Sequence, residues 1–562
     1  MPGWYSFTHA LIQRTLYEGL GASRRSLLHR KVFEVLRQWS EDGTGPRSAS
    51  VAGEVARHFV ASARPEESRA VVHYARRAAG EALAALNPDE AVRWYSTALD
   101  ALGDDPADAT RAQVLSRLGD AQRQTGDLAY RTTLLEAAHM ALEVGDTDTL
   151  VFAALANSRQ IQSTTGTIDQ ERVDVLEAAI EQVGTEDTPE RAMLLAHLAV
   201  DRSYDGDPER RRPLVEEALA IARRVGDTAT LFDVLLRRVG IWMPEDVGER
   251  LAESAEALAC AEELGDPATR FWALFYRSIV AAEAGDRALL DECRRRFPEE
   301  ARATGQPMLE WVTSYAQGWQ LLLEGDLDGA ELHANRALEQ GAATGQPDAM
   351  AIFGGQVVDL RWHQGRDGEL VELIEQMVES TPDIDSFRSA LARIYADLGR
   401  TDDALALLAA EAAVDFAHPF DPLAATTIVM WAEVAIQTAD RPAAEILLGR
   451  LDGFVDQVVC NGVDIFGSLD HYRGALWAVL GRFDEAERLL VWGSEVHERL
   501  GAPFFEARSH LELARMLRLR CGPGDLEEAV RRVDLARELA GRHGFATVER
   551  RATDLAAVLV RG

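Results

Sequence analysis

The chain has 562 residues, 47% of them hydrophobic, and a formal net charge of −33. No stretch of eighteen apolar residues runs free of charge, which argues against a membrane-spanning helix, and 92 acidic against 59 basic side chains argue against a surface built to hold nucleic acid. Cys260, Cys293, Cys460 and Cys521 stand far apart, as free buried thiols of a cytoplasmic protein do, rather than as a disulfide framework.

The first elements in chain order are Trp4-Tyr5-Ser6-Phe7-Thr8-His9-Ala10-Leu11-Ile12, then Arg24-Arg25-Ser26-Leu27-Leu28-His29-Arg30-Lys31, then Ala52-Gly53-Glu54-Val55-Ala56-Arg57-His58-Phe59. The stretch begins without the charged start and apolar core of a signal peptide. It is also the basic part of the chain: the first 77 residues hold 12 basic and 7 acidic side chains, and the remaining 485 hold 47 and 85.

Beyond residue 70, turn signals recur. Asn87-Pro88-Asp89-Glu90-Ala91 opens a helix, and Gly126-Asp127 and Gly226-Asp227 close others. Then Gly265, Gly285, Gly305, Gly325, Gly345 and Gly365 stand twenty residues apart. A helix of about fifteen residues and a tight turn fill that spacing, with glycine in a left-handed cap. The turns alternate. Gly285-Asp286, Gly325-Asp326 and Gly365-Arg366 join helix A to helix B within a repeat. Gly265-Asp266-Pro267, Gly305-Gln306-Pro307 and Gly345-Gln346-Pro347 separate repeats, proline being suited to a new helix start. Gly399-Arg400, Asp440-Arg441-Pro442, Gly481-Arg482 and Gly524-Asp525 continue the series less regularly. The expectation is an all-α solenoid with repeats of about forty residues.

At several turns the pattern resembles the tetratricopeptide repeat: Gly474, Trp477, Gly481 and Ala486; Ala392, Tyr395, Gly399 and Ala404; Gly318, Gly325, Ala330 and Ala337; and Ala91, Tyr95 and Ala98. The resemblance covers residues 70 to 560, with a unit of forty residues where the family has thirty-four. It implies a right-handed α-α superhelix over 71–562 with helix A lining a concave wall. The first seventy residues resemble the end of a STAND-type regulatory ATPase, through the F-x-H-x-L-I element and the L-H-R helix. That resemblance implies that 1–70 is a remnant of a winged-helix linker, with an ATPase domain N-terminal to it or in a neighbouring chain. The family's phosphate-binding loop is not here: Lys31 is the single lysine, and no glycine-rich loop precedes it. With Gly562 as the natural end, helical repeats leave no room for a C-terminal helix-turn-helix domain.

Placing the turn glycines in phase nominates inward residues of helix A. These are Trp272 and Phe275 before Gly285, Tyr315 and Trp319 before Gly325, Asp359, Trp362 and His363 before Gly365, and Arg393 before Gly399. An aromatic wall with a few polar groups suits a protein segment or a small effector, and gap-filling between helices is the alternative use of such aromatics. No His-Glu-x-x-His, Cys-x-x-Cys or Gly-x-Ser-x-Gly occurs, so neither a metal, a cofactor nor a catalytic residue is expected. Gly354-Gly355-Gln356 reads as close packing within a helix. The functional expectation is a non-catalytic cytoplasmic module that senses a partner or effector for a bacterial signalling or transcriptional regulator. The alternative is a constitutive protein-interaction scaffold.

Overall fold

The computed structural model describes residues 10–42, 51–103, 109–158, 166–205, 208–239, 247–381, 384–417, 421–454 and 456–561. Twenty-eight α-helices account for nearly all of them, so the chain is an all-α helical-repeat protein. The expected element at Trp4–His9 lies outside the described residues.

The chain forms two compact units, residues 1–158 and 159–562; the sequence-derived boundary at residue 70 falls within the first. In that first unit, helix Ala22–Asp42 carries the L-H-R residues and packs on Val51–Val60 and Ser68–Ala84 through Phe33, Phe59, Val71 and Tyr74. His29 and His58 meet Nδ1 to Nδ1 at 2.8 Å, and burial holds both below the ordinary imidazole range. No strand occurs among this unit's described residues.

The glycine spacing lies in the second unit and behaves as its chemistry requires. All six glycines have positive φ, between 56° and 79°. The aspartate after each of several turns caps the next helix: Asp266, Asp286 and Asp326 accept from the amides of Thr269, Leu289 and Gly329 at 2.8–3.0 Å. Helices Pro267–Glu283, Pro307–Leu323 and Ala349–Gln364 are the A helices, and Arg287–Thr304 and Leu327–Ala343 are B helices. Pro267 and Pro307 take the first helical position, whereas Pro347 stands two residues ahead of Ala349. Farther on, Ala439 occupies the left-handed position with φ 53°, where the earlier turns use glycine.

Small residues sit where helices approach. A Cβ at Gly474 would lie 2.9 Å from the backbone nitrogen of Leu490 in the paired helix Phe483–Leu500. The repeats then wind back against one another within this unit. Arg287 donates to the carbonyl of Leu500 at 3.1 Å. A Cβ at Gly325 would lie 2.6 Å from His543 Nδ1 and 2.9 Å from the Phe545 ring. Thr547 of the last helix, Ala546–Arg561, donates to the carbonyl of Trp362. The turns marked by Gly285, Gly325 and Gly365 therefore abut the C-terminal repeats.

One element has no counterpart in the sequence expectation. Strands β1 (Val458–Cys460) and β2 (Ile465–Ser468) form an antiparallel hairpin between helices Arg441–Leu451 and Leu469–Val479. Asn461 closes its turn, accepting from the amides of Val463 and Asp464 at 2.9 and 2.8 Å. Gly467 has φ +81°, and a Cβ there would lie 2.7 Å from His497 Nε2 and 2.9 Å from the Phe505 ring. Gly467→Ala should therefore cost on the order of 1–3 kcal/mol, combining backbone strain with contact against two rings. Chemical denaturation followed by tryptophan fluorescence checks this, and an unchanged midpoint would contradict the hairpin's seating.

The thiols of Cys260, Cys293 and Cys460 are buried as expected, while Cys521 is exposed, holding the left-handed cap of helix Pro503–Arg520 at the surface.

Candidate functional site

The returning repeats and the hairpin leave a cavity of about 290 Å³ in the second unit. Its wall is mainly apolar. Phe275 and Tyr315 come from two successive A helices and meet edge to face at 6.1 Å. Helix Ala349–Gln364 supplies Ile352, Gly354, Gly355 and Asp359, and the hairpin supplies Asp464 and Phe466.

The Gly354-Gly355-Gln356 tripeptide builds this wall. Gln356 is buried and donates to the carbonyl of Tyr315 at 2.7 Å and to that of Val463, in the hairpin turn, at 3.3 Å. It thus ties two repeats and the hairpin together. A Cβ at Gly355 would lie 3.0 Å from both carboxylate oxygens of Asp464, so glycine lets this side chain lie against the helix. Asp359 stands one helical turn beyond Gly355 on the same face and accepts from the amide of Ile465.

Asp359 and Asp464 are 2% and 9% exposed, and each keeps one carboxylate oxygen, Oδ2 and Oδ1 respectively, without a hydrogen-bond partner among the described residues. Burial, and then the neighbouring Asp464 charge, push Asp359 well above the usual carboxylate range, with Arg393 opposing. Burial raises Asp464 to about 7, opposed by its contact with Asn461. An unfolded aspartate titrates near ~3.9. Between these values the unfolded chain releases the proton that the folded chain keeps, so stability falls as pH rises from about 4 to about 7. Asp464→Asn should remove that decline. Urea unfolding of variant and wild type should show the difference growing in the variant's favour between about pH 4 and pH 7; a constant difference would contradict the burial of this carboxyl.

Three of the eight nominated residues, Phe275, Tyr315 and Asp359, line the cavity. The other five are enclosed. Trp272 stacks on Tyr276 at 5.8 Å. Trp319 is 1% exposed inside the main core. Two guanidinium groups lie over the Trp362 ring, Arg393 at 4.6 Å and Arg508 at 4.5 Å. His363 stacks on Phe504 with centroids 3.5 Å apart, and burial, then the charges of Arg508 and Arg393, hold it neutral. Arg393 pairs with Asp367 at 3.1 Å and Asp397 at 3.0 Å. The physical reason is the winding of the unit: the inner helix face expected to form an open groove is covered by helices Pro503–Arg520 and Ala546–Arg561 and by the hairpin.

Arg393 begins a buried ionic chain. Asp397 also pairs with Arg551, Arg551 with Glu433 at 2.7 Å, and Glu433 with Arg508. Arg508 donates to Tyr472 Oη at 3.2 Å, and Tyr472 donates to the carbonyl of Phe466 in the cavity wall at 2.8 Å.

A serine–histidine cluster lies nearby. The amide of Ser468 donates to His497 Nε2 at 2.7 Å, which leaves the proton on Nδ1 to be donated to Ser509 Oγ at 3.0 Å; Ser509 in turn donates to His471 Nδ1 at 2.9 Å. All three side chains are at most 1% exposed and do not line the cavity, so this cluster packs the hairpin against the helices. Among the described residues no group of three or more His, Cys, Asp or Glu could hold a metal ion, and no helix is long and apolar enough to cross a membrane.

Sequence reasoning missed Asp464 and the hairpin that carries it. The signal was present in Val458-Val459-Cys460-Asn461-Gly462, a β-favouring run ending in Asn-Gly.

No family model matches this chain, and no curated protein matches it. Among solved structures it is similar to the APC/C hetero-tetramer Cut9-Hcn1, at 13% identity over 98% of this chain and 94% of that one, with a TM-score of 0.46. It is similar also to Naa15/Naa10 bound to HypK-THB (13% identity, 95% of this chain and 94% of that one, TM-score 0.22). A third is a circular tandem repeat protein with novel repeat topology (15% identity, 96% of each chain, TM-score 0.15).

Proposed function

We propose that the chain is a non-catalytic, tetratricopeptide-like sensor module whose second unit holds a small effector. The observation that carries this reading is the cavity of about 290 Å³, mainly apolar and with two convergent buried carboxyls. The module serves a bacterial signalling or transcriptional regulator in the cytoplasm, and an ATPase domain, N-terminal to it or in a neighbouring chain, receives the signal. Entry of an effector displaces the hairpin, and the hairpin bears on the Tyr472–Arg508–Glu433–Arg551 chain that ties the last helix to the repeats. Selection between two settings of this contact is the switching step.

The test is titration of the full chain with N-phenyl-1-naphthylamine, an uncharged apolar fluorophore. Gly354 lines the cavity, and a Cβ there meets no neighbouring element within 4 Å, so Gly354→Phe is the variant chosen to occupy the space. Saturable binding to the wild type, lost in Gly354→Phe with helicity retained, supports the reading. No binding, or equal binding to the filled variant, overturns it. A constitutive scaffold would show no cavity-dependent binding.

A further inference from the structure

We infer that the cavity selects an organic cation: an ammonium head group seated between Asp359 and Asp464, with an apolar body against the aromatic wall. This rests on the effector-binding reading above and names the ligand class.

Three acidic side chains, Asp348, Asp359 and Asp464, line the cavity, and among the described residues no Lys, Arg or His does. An entering cation draws the buried pair toward its ionised form and gains from it, whereas an anion meets no positive partner in the wall. Arg393 acts on Asp359 from outside the wall, but its guanidinium is already held by Asp367 and Asp397. It does not occupy Asp359 Oδ2 or Asp464 Oδ1.

Asp359 Oδ2 and Asp464 Oδ1 have no partner among the described residues, in side chains that are more than nine-tenths buried. Leaving such an oxygen unsatisfied costs free energy that a donor entering the cavity would recover. An ammonium brings up to three donors and the missing positive charge in one group. Two carboxylates in an apolar wall do not make a divalent-cation site, which needs six or more oxygens, and the wall carries too few polar groups for a sugar.

Phe275, Tyr315, Phe353, Phe387 and Phe466 surround the space. Aromatic faces attract a cation as well as an apolar body.

The experiment compares three ligands of one shape on the full chain by calorimetric titration: 4-phenylbutylamine, 4-phenylbutanol and 4-phenylbutyrate. The amine should bind at least about tenfold more tightly than the alcohol, a difference of about 1.4 kcal/mol, and the carboxylate more weakly than either. Asp359→Asn/Asp464→Asn should lose the preference for the amine while keeping the alcohol. If the wild type binds amine and alcohol alike, or if the double variant keeps the preference, the proposal is overturned while the effector-binding reading stands. If the amine fails to bind a wild type that does bind the naphthylamine probe, the proposal again falls alone. If the probe fails as well, both fall. The comparison on wild type needs no variant to fold.

Discussion

Glu433→Ala should lower the stability of the second unit by about 3–5 kcal/mol. Glu433 is 2% exposed and carries two ion-pair partners, Arg508 and Arg551. Removing it leaves the buried Arg508 guanidinium without its carboxylate partner and still pressed on the Trp362 ring, while Arg551 keeps only Asp397. Burial acts to raise the Glu433 pKa, but the charges of Arg508 and Arg551 outweigh it and hold it well below the usual carboxylate range. A depressed folded pKa contributes stability above the unfolded value of about 4.3 and loses it as pH falls through the folded one. Stability at low pH should therefore differ less between wild type and Glu433→Ala than at neutral pH. Glu433→Leu/Arg508→Leu should recover part of the loss, because an apolar pair needs no compensating charge. Denaturant midpoints for the two variants at two pH values check this. A loss below about 1 kcal/mol, the size typical of an exposed pair, would contradict the burial of the network.

Trp362→Ala should cost about 3–5 kcal/mol. The indole is 1% exposed, has two guanidinium groups over its ring, and touches Phe504 at 5.2 Å between centroids. Its removal opens a large void and ends two cation–π contacts at once. Trp362→Phe should cost less, since an aromatic ring remains for the two charges. Trp362 does not line the cavity, so where the variant stays folded it should bind the naphthylamine probe nearly as the wild type does. Weakened binding with unchanged stability would return Trp362 to the role of a groove residue.

The repeat was legible because its turns are local chemistry. Glycine in a left-handed cap, aspartate as the next N-cap and proline at a helix start act over four or five residues, and Gly285, Asp286 and Pro307 announce themselves. Of the residues that the phase of the A helices nominates, Phe275, Tyr315 and Asp359 line the cavity. What covers that face was not legible. Arg551 lies 118 residues beyond Glu433, and Thr547 lies 185 beyond Trp362. No spacing rule links them, because they meet only once the repeats have wound back. The open wall read from Trp319, Trp362 and His363 is thus an interior. Asp464 was hidden for another reason. A helical period carried through 456–468 leaves no place for a hairpin, and the Asn461-Gly462 turn becomes visible only when strand is allowed to interrupt the repeat. Ala439 shows the converse: the fold takes a left-handed turn with alanine, so a search for glycine passes it by.

The central claim is that an effector is bound inside the second unit, between helix Ala349–Gln364 and the hairpin, and not on its outer surface. Hydrogen–deuterium exchange of the full chain, with and without saturating N-phenyl-1-naphthylamine, tests it most directly. Protection should rise in peptides covering 349–364 and 456–468, with the outer B helices 287–304 and 327–343 unchanged. Protection confined to those outer helices, or unchanged exchange throughout while the probe is bound, would contradict the account.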